Sequence, residues 1–195
     1  MARPRRTMTS RAVLLIALLL ALSSAGCASS ETNYQRGVRA LVAGNFDIAS
    51  EAFHRAIEKN PRRADAYLSL ARIYLRDQNW GLAANALREA ARLDPRLRVE
   101  AGALLEDALY QTALKELRLG DKRAAIAAFR ELYQKSPGYP KLREAYLATL
   151  TEYGRERIAV GDYGEGVSAL KESLRVDPEN QAARRLLKRI RFSAT

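Results

Sequence analysis

Residues 67–95 read YLSLARIYLRDQNWGLAANALREAARLDP, and this stretch decides the fold. Tyr67, Leu70, Ala71 and Tyr74 precede a short polar break at Asp77-Gln78-Asn79, and Trp80 opens a second run carrying Ala83, Leu87 and Ala90. Asp94-Pro95 ends it. Working outward, the segment before it has the same order: Gly37, then Gly44-Asn45-Phe46, Ala49, Phe53, Ala56 and Asn60-Pro61, with Pro61 and Pro95 34 residues apart. A third copy has Ala113, Gly120-Asp121, Ala125, Phe129, Leu132 and Ser136-Pro137. A fourth has Tyr153-Gly154, Ile158, Gly161-Asp162-Tyr163, Gly166, Leu170, Ser173 and Asp177-Pro178. Self-similarity at such a period marks stacked supersecondary units.

Elementary packing accounts for the pattern. Small residues at Ala49, Ala56, Ala83 and Ala90 let two antiparallel helices approach closely, while Phe53, Leu87, Phe129 and Leu170 fill the space between consecutive pairs. Gly44, Gly120 and Gly161 stand where a left-handed residue closes a first helix, and Pro61, Pro95, Pro137 and Pro178 are expected in the first turn of the helix that follows. Each pair alone leaves an apolar face uncovered, so the pairs must stack. The last stretch, Glu179 to Phe192, has Ala183, Leu186, Leu187 and Ile190 on one face and Arg184, Arg185, Lys188, Arg189 and Arg191 on the other, which suits a capping helix.

The spacings and small positions resemble the tetratricopeptide repeat (TPR), a helix-turn-helix unit. The resemblance covers about residues 31–192. It implies an all-α fold: a right-handed superhelix, or α-solenoid, of about four repeats at roughly 33–61, 64–95, 104–137 and 145–178, followed by a capping helix and tail at 179–195. The steps from Pro95 to Pro137 and from Pro137 to Pro178 are 42 and 41 residues, so the first helices of repeats three and four are expected to be longer, or preceded by an extra turn, with Pro140 starting the last of them. In the resembling family the first helices line a concave groove that binds a peptide segment or a partner helix. Carried over by position, the groove residues are Tyr34 and Val38, then Leu68, Arg72 and Arg76, then Tyr110, Leu114 and Arg118, and finally Arg155. The Lys and Asn pattern of chaperone-tail clamps is absent, since Tyr34 and Val38 hold the relevant places.

Composition narrows the chemistry. The 195 residues are 48% apolar but only 7% aromatic, favouring a core of Ala and Leu in helices. One cysteine makes no internal disulfide, and one cysteine with one histidine makes no multi-ligand zinc site. His54 reads as a solvated surface residue. Gly161 to Gly166 has its glycines in the wrong order for a phosphate loop and no strand before it. The acids fall at the spacing of exposed helix faces, with no pair placed across a cleft. The chain is expected to be no enzyme and to carry no cofactor or metal.

The first 27 residues read as an export signal. Arg3, Arg5, Arg6 and Arg11 precede an apolar run from Ala12 to Leu22, too short for a bilayer span of about 20 residues. Ser23-Ser24-Ala25-Gly26-Cys27 resembles a bacterial lipoprotein lipobox, departing from it at Ser24. That resemblance implies acylation of Cys27, a short polar tether at 28–32, and an outer-membrane anchor facing the periplasm. A leader cut by the ordinary signal peptidase, and a retained anchor, are the alternatives.

The formal charge of +11 falls to +7 without residues 1–27, and five cations lie beyond Gln181 with no acid among them. The charge is therefore concentrated at the two ends. The architecture is similar to that of small TPR pilotin and assembly lipoproteins. It implies an adaptor whose groove holds another envelope protein in secretion, pilus, outer-membrane or cell-wall machinery. Two alternatives stand beside it: a polyanion-associated scaffold, whose basic cap at Arg184, Arg185, Lys188 and Arg189 meets anionic lipid or wall polymer, and a regulatory accessory subunit of a wall enzyme. Nucleic acid is not expected, because no aromatic residues interleave with those cations.

Overall fold

The prolines act one step earlier than the sequence pattern predicts. In the computed structural model, which describes residues 29–193, Asn60, Asp94, Ser136 and Asp177 all leave helical geometry with φ between −129° and −143°. A proline disfavours the α conformation in the residue before it, so each one stops a second helix. Only Pro95 also opens a helical turn, the short 3-10 segment Pro95–Leu97; the helices after Pro61 and Pro178 begin at Ala64 and Gln181. Pro140 likewise precedes its helix, which begins at Leu142 after Lys141 in the left-handed region.

Every regular element among the described residues is helical. Helix α1 covers residues 29–42, α2 Phe46–Lys59, α3 Ala64–Arg76, α4 Trp80–Leu93, α5 Arg98–Leu119, α6 Lys122–Lys135, α7 Leu142–Ala159, α8 Tyr163–Val176 and α9 Gln181–Ser193. At 22 and 18 residues, α5 and α7 are longer than the 13-residue α3, and both extra turns precede them: the Pro95 turn and the Tyr139–Lys141 turn. The described residues divide within α5 into two compact units, the first ending at Ala101 and the second beginning at Gly102.

In the first unit α2 packs on α3 and α3 on α4. Ala40, Ala49, Phe53, Ala56, Ala66, Leu70 and Ile73 form one buried cluster, against which Tyr34, Val38 and Leu41 also pack. A methyl group on Gly37 would meet the Phe53 ring at 2.6 Å, so a glycine is what lets α1 seat on that ring. Residues 29–32, expected as a tether, are instead the first turn of α1. Ser30 is fully buried and its hydroxyl donates to the Ala56 carbonyl at 2.8 Å, fixing the start of α1 to the last turn of α2. Cys27, the residue expected to be acylated, lies outside the described residues.

In the second unit α6 packs on α7, α7 on α8, and α9 on both α7 and α8. Phe129, Leu132, Leu142, Leu150 and Leu170 are fully buried. The α7–α8 crossing is the tightest: a methyl on Gly166 would meet Ile158 at 2.6 Å and the Gly154 carbonyl at 2.9 Å. Asp121 and Asp162 cap α6 and α8 by accepting from the backbone N–H groups of Ala124 and Glu165 at 2.9 and 3.1 Å. Asn180 does the same for α9 through Ala183 at 3.2 Å, and its amide donates to Ser173 at 2.8 Å and Thr151 at 3.1 Å. A polar clasp of three side chains thus holds the capping helix on the repeat beneath it.

Candidate protein-binding faces

In the first unit, the Tyr34 ring lies 5.6 Å from the Phe53 ring, and the Arg63 guanidinium sits over it at 4.4 Å from its centre. Arg63 donates to Glu31 at 2.6 Å and lies 3.1 Å from Asp65. Hydrogen bonds from Gln35 and then Arg63 hold the Glu31 carboxyl below the usual range. Tyr34 is therefore half-buried between partners of its own chain. Val38 packs on the core, and Leu68, carried over as a groove residue, is 6% exposed and belongs to the interior. What remains at the surface is cationic. Arg72 is exposed and paired with Glu100, while Arg76 lies 3.5 Å over the Phe46 ring and 2.8 Å from Asp77.

The carried-over residues of the second unit divide in the same way. Tyr110 meets Phe129 at 5.9 Å and Tyr139 at 5.2 Å in tilted ring contacts, and the Tyr139 hydroxyl donates to Asp107 at 2.6 Å. Burial, then that carboxylate, pushes the Tyr139 phenol up. Leu114 is half-buried, whereas Arg118 and Arg155 are exposed, the latter paired with Glu152 one turn away. Of the nine, only the four arginines present mostly free side-chain surface.

A polar crevice that the sequence reading missed lies on the other helices of this unit. It measures about 290 Å³ between α6 and α8, floored by Leu150 and Tyr153 of α7. Arg130 donates twice to Glu172, at 2.6 and 2.7 Å, and Tyr146 donates to the same carboxylate. Burial alone would raise Glu172, but the bonds from Arg130 and Tyr146 outweigh it and hold the carboxyl below its ordinary range. Two turns along, Arg123 and Tyr153 both donate to Glu165, which is lowered chiefly by Arg123. Arg157 joins Asp162 at 2.7 Å and approaches Glu165 at 3.5 Å. The signal was present: Arg123 and Arg130, and Glu165 and Glu172, are each seven residues apart and 42 residues from their partners, about one repeat step. Every carboxylate in the crevice is engaged by a cation, so the arrangement is a clasp between helices. It offers no acid–base pair.

The outer face of α9 is basic. Ala183 is fully buried and Leu186, Leu187 and Ile190 are half-buried, while Arg184, Arg185, Lys188 and Arg189 are exposed. His54 is also exposed, with its ring nitrogen 2.9 Å from the Tyr74 hydroxyl. Among the described residues there is no group of three or more His, Cys, Asp or Glu able to hold a metal, and no helix is long and apolar enough to cross a membrane.

Residues 34–97 match the profile of the tetratricopeptide repeat family. This segment is similar to a tetratricopeptide repeat pair. Residues 95–191 match a second family, the bacterial transcriptional activator domain. No curated protein matches the chain in sequence. Among solved structures, it is similar to the TPR domain of Arabidopsis OM64 (20% identity, TM-score 0.40, covering 64% of this chain and 96% of that one). It is also similar to MamA (17%, TM-score 0.38, 80% and 76%) and to the TPR domain of P58(IPK) (16%, TM-score 0.46, 80% and 42%).

Proposed function

We propose that this TPR protein is a lipid-tethered adaptor that engages another protein of the bacterial envelope through the arginine-bearing faces of its first helices. The observation that carries the reading is the only cysteine of the chain, placed at the end of an apolar leader and two residues before the described part of the first helix. Arg72, Arg76, Arg118 and Arg155 are the contact residues, because arginine pairs with carboxylates in two-point geometry and is enriched in interface anchors. Their present partners, Glu100, Asp77 and Glu152, are exposed or half-exposed, so a partner carboxylate exchanges for them at little cost.

Fractionation of cells carrying the wild type and Cys27→Ser tests the tether. Membrane association of the wild type and its loss in the variant support it; identical fractionation overturns it. A second reading, a regulator linked to transcriptional activation, is favoured by the family match of residues 95–191. Recovery of the wild type in the cytosol with its leader intact would favour that reading over the adaptor at the envelope.

A further inference from the structure

Helix α9 is the last helix among the described residues, and the side it turns outward carries one sign of charge. Arg184 and Lys188, and Arg185 and Lys188's neighbour Arg189, are each one turn apart and form a two-row stripe of exposed cations. No acid follows Glu179. A terminal repeat needs a polar outer face for solubility, but mixed charges satisfy that need, whereas like charges one turn apart repel. Glu179 answers Arg184 at 2.7 Å, and Gln181 accepts from Arg185 at 3.2 Å. Both contacts are exposed and easily exchanged. The apolar side of α9 is committed to α7 and α8, and Asn180 locks the start of the helix to Ser173 and Thr151. The helix therefore cannot insert apolar residues into a bilayer without leaving its own unit, and any contact it makes is electrostatic.

We infer that the outer face of α9 docks on an anionic phospholipid surface. A flat stripe of cations on a fixed helix suits a planar array of phosphates, and residues 179–191 contain no aromatic side chain to stack on bases. The choice of a membrane as the anionic surface rests on the envelope reading above. Such cations contribute about fivefold each in affinity, on the order of a few hundredfold for four.

The test uses the chain from Ala28 onward, which contains every described helix and no acyl anchor, sedimented with phosphatidylcholine vesicles with and without an equal part of phosphatidylglycerol. The expected result is binding to the mixed vesicles only, weakening as salt rises. It should fall by at least a hundredfold when Arg184, Arg185, Lys188 and Arg189 are all changed to Gln, with the helical circular dichroism retained. Restoring Arg184 and Arg185 alone should recover part of the binding, which keeps the result readable if the fourfold variant unfolds. Equal binding to neutral vesicles, undiminished binding by a folded fourfold variant, or tighter binding to duplex DNA at the same salt overturns the inference. If vesicle binding fails while Cys27→Ser still releases the full chain from membranes, only this inference falls and the tether stands.

Discussion

On α6 and α8 of the second unit, Arg123 and Arg130 meet Glu165 and Glu172 in two rungs, each completed by a tyrosine of α7. Counted from the left-handed turn residue of each repeat, the corresponding places in the first unit are Asp47 and His54 on α2, and Leu82 and Glu89 on α4. Leu82 is 52% exposed, Glu89 pairs with Arg92 of its own helix, and His54 turns to Tyr74. The second unit ties its outer helices together with charge at these places, and the first does not repeat those two rungs. The buried positions do not differ in this way: Phe53 and Phe129 are both fully buried, and small residues flank each. The repeat thus dictates what lies between helices and leaves their outward surface free to diverge.

If the cores are equivalent, Phe53→Ala and Phe129→Ala should be nearly equal in effect, each costing about 3–5 kcal/mol in chemical denaturation. A loss below about 1 kcal/mol at either site would show that its unit is held by something other than the plug residue. The next effect in size falls on the close helix crossings. Gly166→Ala places a methyl against the Gly154 carbonyl, and Gly37→Ala places one against a buried ring. Both should cost roughly 1–3 kcal/mol, visible as lowered melting temperatures, because neither neighbour has space to retreat.

The ionic rungs give the sharpest contrast between units. Glu172→Gln should cost about 1–3 kcal/mol at neutral pH, since it weakens the charge-assisted bonds from Arg130 and Tyr146, while Glu89→Gln should stay within about 0.5 kcal/mol. The Glu172 carboxyl is held below its unfolded value, so its contribution is present above the unfolded pKa and is lost as pH falls through the lowered folded pKa. Stability measured from neutral to acid pH should therefore fall less steeply in Glu172→Gln than in the wild type. Parallel curves would mean that Glu172 is not a source of the acid sensitivity.

Much of this was legible in the residues. Ala49, Ala56, Ala83 and Ala90 are all fully buried, and Gly44, Gly120 and Gly161 all have positive φ, because helix packing and turn closure constrain single positions strongly. The groove assignments were less legible. Position in the repeat fixes which way a side chain leaves its helix, but Tyr34 and Tyr110 are covered by Arg63 and Tyr139, which come from loops whose course the repeat leaves open. Ser30 falls in the polar stretch expected as a tether, and a serine there gives no sign that it will be buried against a carbonyl 26 residues away. The ionic rungs lay between the two cases: their spacing was visible, yet which of many exposed charges face one another depends on how α6 and α8 are set over α7.

The smallest effect concerns the one repeat that lacks a turn glycine. Gln78 has φ 57°, close to the 76–85° of Gly44, Gly120 and Gly161, and all four turns share one hydrogen-bond pattern. Gln78 N–H bonds to the Leu75 carbonyl at 3.1 Å and Asn79 N–H to that of Tyr74 at 2.8 Å, as Gly44 and Asn45 do to Leu41 and Ala40. A residue with a Cβ is strained there by about 1–2 kcal/mol, part of which glycine gives back through the larger entropy of its unfolded chain. Gln78→Gly should therefore raise stability by a few tenths to about 1 kcal/mol, while Gly120→Ala in the other unit should lower it by a similar amount. Both backbone bonds survive the change to glycine, so a Gln78→Gly variant less stable than the wild type would mean that the Gln78 side chain itself makes a contact worth more than the strain it carries.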